Sequence, residues 1–142
     1  MSRFVIEFPQ NLQVYECLLT VRVYDLNYGN HLSNDRVLSL AHEARVLYLQ
    51  SIQSTELNFF GNGIIMTDAQ IVYKNEAFLS DVLNFSIAIK ITGRASFDIF
   101  YRIQKGDKEI AIVKTGILCY DYERKKVVSN PEKFFSYCRC TS

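Results

Sequence analysis

The groups best placed to do chemistry lie in one polar run, Asp25-Leu26-Asn27-Tyr28-Gly29-Asn30-His31-Leu32-Ser33-Asn34. An imidazole can take or give a proton near neutral pH, since its reference pKa is about 6.5. The run ends where a helix is expected to begin, and the first N–H groups of a helix have no partner inside it. Such a junction can hold an anion or a developing oxyanion. The same residues also suit a structural loop, with Asp25, Asn27 and Asn30 as turn formers and His31 as a hydrogen-bonded side chain.

The element that must follow this loop is legible. From Arg36 to Ile52 the apolar residues Val37, Leu40, Ala41, Ala44, Leu47, Tyr48 and Ile52 make one helical stripe. Ser33 and Asn34 are N-cap candidates, and Asp35 suits the positive end of the helix dipole. Glu43 lies about 120° from the middle of the stripe, at about 100° per residue, on the helix flank where one edge can line a cleft. Its bland reading is a surface ion pair, with Arg36 or Arg45.

Most of the remaining chain reads as strand. Val14–Tyr24 and Ile64–Lys74 are rich in β-branched and aromatic residues. Leu83 to Ile91 and Phe97 to Ile103 alternate with period two, and Gly106-Asp107-Lys108 turns the chain into a run from Glu109 to Tyr122. Pro131 opens a short helix containing Glu132, Phe134 and Phe135. Strand, loop, long helix and four further strands predict an α+β domain over 1–142: an antiparallel sheet of about five strands around one long helix.

Composition limits the function classes. The chain has 142 residues, 49% of them hydrophobic, 22% charged, with a formal net charge of +1. That is one domain's length with enough apolar side chain for a core. Near-zero charge argues against a general nucleic-acid binder, which needs surplus Lys and Arg to neutralise phosphates. No apolar run reaches the roughly 20 residues of a membrane span, and MSRFVIEFPQ lacks the apolar core of a signal peptide. A soluble, cytoplasmic protein is expected. Cys17 and Cys119 read as small hydrophobes inside strands, and Cys138 and Cys140 as reduced thiols, with no ligand set for a metal.

The polar run resembles the signature of hotdog-fold thioesterases of the 4-hydroxybenzoyl-CoA and acyl-CoA type, D-x-D-x-x-G-H-x-N-N. Asp25, Asn27, Asn30, His31, Ser33 and Asn34 stand at its six fixed places. Glu43-Ala44-Arg45 matches the E-A-R that follows on the helix. The likeness extends from about Val14 to Tyr122, with Asp68 to Asp81 as the family's second strand and the loop after it. Three positions depart: the second Asp is Asn27, the Gly is Asn30, and the first Asn is Ser33. An amide cannot serve as nucleophile or general base. Some members of this fold place the carboxylate on the central helix instead.

The resemblance implies a hotdog fold and hydrolysis of an acyl-CoA or acyl-carrier-protein thioester, with coenzyme A as part of the substrate and no other cofactor. It implies a homo-oligomer, a dimer or tetramer, with the site between chains. His31 or Glu43 would activate water, Asn27 would orient it or the carbonyl, and Asp25 would fix the loop. The backbone N–H groups of Ser33 and Asn34 would hold the oxyanion. By location Lys74, Arg94 and Lys90 are candidates to meet the carrier's phosphates, and the run Arg124-Lys125-Lys126 is a further basic group or a solvated charged loop. Phe59 and Phe60, with Ile64 and Met66, would line the acyl tunnel or belong to the plain core. The alternative is a non-catalytic module that binds an acyl or CoA ligand, because Asn27 replaces the carboxylate.

Overall fold

The computed structural model describes residues 4–139, so the expectation for Cys140 lies outside the described residues. Five long strands, β1 (Gln13–Thr20), β2 (Gly63–Tyr73), β3 (Val82–Ile91), β4 (Ser96–Lys105) and β5 (Lys108–Asp121), form one antiparallel sheet in the order β1-β3-β4-β5-β2. A two-residue β6 (Lys126–Val127) pairs with β5. The helix α1 (Asn34–Ser51) sits between β1 and β2 in sequence, and α2 (Glu132–Phe135) closes the chain. At 1.5 Å per residue, α1 is about 27 Å long. Among the described residues no helix is long and apolar enough to cross a membrane.

The stripe on α1 is buried as its spacing requires. Val37, Leu40, Ala41, Ala44 and Tyr48 join Leu83, Phe85, Ile87 and Ile89 of β3 and Ile99 and Tyr101 of β4 in the main core. The sheet curls round that stripe. A sheet holding one helix would leave its other face to solvent, yet Ala88 and Phe100 are buried there as well. The N-terminal segment covers that face: Ile6, Phe8 and Leu12 pack against Val72, Ala88, Phe100 and Ile112.

Three boundaries differ from the sequence reading. β1 stops at Thr20 instead of running to Tyr24, and Val23–Asp25 forms a single 3-10 turn. The Asp25 carboxylate accepts the Arg22 N–H at 2.9 Å and pulls the chain out of the strand. α1 begins at Asn34, two residues before Arg36, with Ser33 as its cap. The basic run Arg124-Lys125-Lys126 is divided, since Lys126 belongs to β6 and Lys125 takes φ 54° in the turn before it.

The two strand cysteines are packing groups. Cys119 is fully buried, its thiol is pushed up to about 11 by burial, and its Sγ donates to Asn130 Oδ1 at 3.3 Å. Burial, then the nearby Glu43, raises the pKa of the half-buried Cys17.

Candidate active site

The polar loop is a built structure. Its anchor is Asp25, which is fully buried. Asp25 Oδ1 accepts from Arg36 Nε at 3.2 Å and lies 3.1 Å from a terminal nitrogen of the same guanidinium. Oδ2 takes the Arg22 N–H. With both oxygens engaged, Asp25 fixes the loop to the first turn of α1.

Asn27 is turned inward on its own loop. Its Oδ1 accepts the N–H groups of Gly29 at 2.9 Å and His31 at 3.2 Å, and its own N–H donates to the His31 carbonyl at 2.9 Å. That is an Asx-type turn, in which a side-chain oxygen replaces a backbone acceptor. Asn30, at the family's glycine position, takes φ 64°. This left-handed conformation is one Asn tolerates, so the turn keeps its register without the glycine. Asn27→Asp retains the acceptor and is expected to leave the urea midpoint unchanged. Asn27→Ala removes it and is expected to cost about 1 kcal/mol, visible as a lower midpoint at constant slope.

His31 follows the turn with its ring over Phe78, centroids 5.0 Å apart, and 31% of its side chain exposed. Its Nδ1 lies 3.0 Å from Glu76 Oε2, an ion-pair distance, but off the line of a good hydrogen bond. Leu32 N–H donates to the Ala77 carbonyl at 2.7 Å and ties the loop to the segment before β3.

The start of α1 leaves backbone donors free among the described residues. Ser33 N–H is already engaged by the Asp25 carbonyl at 2.8 Å, and the Ser33 hydroxyl bonds the Asp35 carboxylate. Asn34 N–H has no partner among the described residues. Asn34 lines a cleft of about 210 Å³ together with Val37, Lys74, Glu76 and Ala77. Lys74 is held beside it by Glu109 at 2.8 Å. Tyr73 donates to the Asn34 carbonyl at 3.0 Å, pinning the end of β2 to the start of the helix.

The remaining expected residues are not gathered there. Glu43 is exposed on the β1 flank of α1, 3.7 Å from Arg22 rather than paired with Arg36 or Arg45. Arg94 lies in the turn after β3, whose ten residues span about 33 Å, so it sits at the far end of the sheet from Lys74. Phe59 is fully buried against Phe97 and Phe134, and Phe60 stacks on Tyr137. These rings belong to the end of the fold where α1 terminates.

One group on the opposite flank of α1 went unnoticed in the sequence. Glu56 Oε1 lies 3.0 Å from both Arg45 Nε and His42 Nε2. Arg45 is buried and donates to the Tyr101 hydroxyl at 3.0 Å, which contacts Thr115 Oγ1 at 3.3 Å. Burial works against the Arg45 charge, but Tyr101 and Glu56 outweigh it and hold the guanidinium pKa above its usual range. A cleft of about 230 Å³ runs along this flank, lined by Asp35, Leu38, Ser39, His42, Arg45 and Met66. Beyond it Val46, Leu49 and Leu57 border a largely apolar groove of about 370 Å³. Ser54 also lines the groove, and its buried hydroxyl has no partner among the described residues. Among the described residues no group of three His, Cys, Asp or Glu side chains is placed to hold a metal.

Helix, sheet order and loop together define a class. The family model of the thioesterase-like superfamily matches residues 21–136, and the chain belongs to that superfamily. Its fold is the hotdog fold. A 1,4-dihydroxy-2-naphthoyl-CoA thioesterase from Synechocystis superposes with a TM-score of 0.78 at 19% identity, covering 87% of this chain and 93% of that one. A protein from Aquifex aeolicus gives 0.78 at 20% identity, covering 87% and 98%. A gentisyl-coenzyme A thioesterase gives 0.75 at 15% identity, covering 85% and 99%. At these identities the likeness concerns the fold. No curated protein matches the chain by sequence.

Proposed function

We propose that this protein hydrolyses the thioester of an acyl-CoA, or of an acyl carrier protein, to a free acid and a thiol. The observation that carries the reading is an Asn34 N–H without a partner among the described residues, on a residue that lines a cleft, in a chain that belongs to the thioesterase-like superfamily. Asn34 would hold the carbonyl oxygen as it becomes an oxyanion, a contact worth about 2.7–4 kcal/mol in transition-state stabilisation. Asp25 and Asn27 would keep the loop in shape for that contact. Lys74 would meet a carrier phosphate, and His31, carried beside the cleft, would contact the thioester group or its water. The reaction needs water and a proton acceptor, so coenzyme A enters as substrate alone. We place the protein in the cytoplasm.

The working unit would be a homo-oligomer built on a dimer. β2 is an edge strand with one neighbour, and its residues 67–70 are exposed. An unpaired edge of this length favours pairing with a second copy. The experiment is thiol release from short, medium, long and aromatic acyl-CoAs. Turnover of at least one above background is expected, and none across the panel would end the hydrolytic reading. The locked amide of Asn27 favours one second reading, a module that binds the acyl or CoA group without turning it over. Saturable binding of an acyl-CoA with no thiol release would support it.

A further inference from the structure

We propose that Glu76, on the loop after β2, is the general base of the hydrolysis, acting on a water at the thioester carbonyl held by Asn34 of the same chain. The proposal rests on the hydrolytic reading above and names the group that takes the proton. Asn27 cannot take it, and its oxygen is committed to two backbone donors. The acceptor must come from another residue that faces the donor.

The cleft at Asn34 narrows the choice. Its polar side chains come from Asn34, Tyr73, Lys74, Asn75 and Glu76. The two amides cannot accept a proton near neutral pH, and an ammonium has no lone pair to accept one. The Tyr73 hydroxyl is spent on the Asn34 carbonyl. Burial, then the nearby Asp35, raises its pKa, so it stays a neutral phenol. Glu76 supplies the one carboxylate among the described residues that line the cleft. Other acids nearby are engaged or turned elsewhere. Asp35 accepts from the Ser33 hydroxyl and lines the cleft on the other flank, Glu109 is paired with Lys74, and Glu43 lies against Arg22.

The backbone on both sides of Glu76 is fastened. Asn75 N–H donates to the Ile110 carbonyl at 3.2 Å, and its side-chain amide donates to the Glu109 carbonyl at 2.7 Å, tying that residue to β5. Ala77 is buried, and its carbonyl takes the Leu32 N–H, two residues before Asn34. Glu76 is thus rooted between β5 and the loop that carries the donor, while its own side chain is 67% exposed and meets water. The cleft, about 210 Å³, has room for a thioester carbonyl beside a water, which takes about 30 Å³. The water oxygen bonds to the carbonyl carbon while a Glu76 oxygen takes one of its protons, and the carbonyl oxygen becomes an oxyanion against the Asn34 N–H. The C–S bond then breaks with its electron pair on sulfur. The Glu76 carboxyl returns the proton to sulfur, and the product acid loses its own proton to solvent.

The test uses an acyl-CoA that the wild type turns over. Glu76→Gln is expected to lower kcat/KM by about 10²–10⁴-fold through kcat, with KM and Tm unchanged, since the side chain is exposed. His31→Ala should lose less, because it removes a neighbour of the carboxylate and leaves the carboxylate in place. Glu76→Ala opens space at the same spot, and sodium formate added to this variant supplies a small carboxylate there. Its rate should rise with formate concentration, while the wild-type rate does not. A wild-type kcat in Glu76→Gln, or a loss carried by KM alone, means that Glu76 only pairs with His31 at the surface, and overturns the assignment while hydrolysis stands. A larger loss in His31→Ala than in Glu76→Gln moves the base to the imidazole and overturns it as well. So does a Glu76→Ala variant whose rate formate leaves unchanged. A wild type that releases no thiol fails at the earlier step, in the hydrolytic reading itself.

Discussion

Replacing Arg45 by Met is expected to destabilise the protein by about 4 kcal/mol and to lower Tm by roughly 10–15 °C. Arg45 is 6% exposed and lies at the centre of a chain of polar contacts, Glu56–Arg45–Tyr101–Thr115, with His42 on the same carboxylate oxygen. Met keeps the length of the stem and fills the space, so the loss is one of charge and hydrogen bonding rather than packing. It leaves the Tyr101 hydroxyl without its donor in the core and Glu56 without the cation that holds it. Removing one partner of a buried pair costs more than the pair itself contributes, because the other is left unsatisfied. A triple mutant makes the point sharply. Adding Tyr101→Phe and Glu56→Gln to Arg45→Met removes the stranded groups and should recover part of the loss. A single Arg45→Met variant within 1 kcal/mol of wild type would show that the chain of contacts has no weight in the fold.

That Arg45 carries so much was not readable from the chain. It was visible only as the last letter of E-A-R and as a possible partner of Glu43. What could be read was periodicity. The stripe Val37, Leu40, Ala41, Ala44, Tyr48 is buried as spaced, and the alternation of Leu83, Phe85, Ile87 and Ile89 marks the inner face of β3. Periodicity fixes the angle of a side chain from the stripe. It does not say which flank meets an open edge of the sheet. Glu43 and His42 lie at similar angles on opposite sides of that stripe. Their neighbours decide between them: Arg22 and Cys17 on one side, Met66 and Glu56 on the other. Those neighbours are set by strand order, a long-range property. Glu56 looked like part of a polar tail after the helix, and its bond to Arg45 spans 11 residues. Alternation also hid the second covered face, because small residues such as Ser86 and Ala88 suit solvent as well as a packed segment. The loop was legible as a motif, and its geometry explains one of the three departures: Asn30 keeps the left-handed turn. Ser33 stands at the N-cap position, but its hydroxyl bonds the Asp35 carboxylate instead of a helix N–H.

The loop's own anchor gives the second large effect. Asp25→Ala is expected to cost about 3 kcal/mol, the lower part of the range for breaking a buried pair, since the Arg36 side chain is 32% exposed and can turn to water. Tm should fall by about 10 °C. The loss has three parts: the Arg36 guanidinium, the Arg22 N–H that shapes the 3-10 turn, and the packing of a fully buried side chain. Asp25→Asn separates them. The amide keeps its volume and one acceptor but loses the charge, so it should recover the turn and less of the Arg36 contact. Function should follow stability here in a specific way. The Asp25 carbonyl takes the Ser33 N–H, and Ser33 caps the helix whose next N–H is that of Asn34. A loosened loop would misplace that donor by a fraction of an ångström, which lowers kcat while leaving binding of the carrier at Lys74 intact. Steady-state rates for Asp25→Asn on the best substrate of the acyl-CoA panel would separate the two. A kcat at the wild-type level would mean the carbonyl is held elsewhere, and a raised KM with constant kcat would place Asp25 in the binding of the carrier.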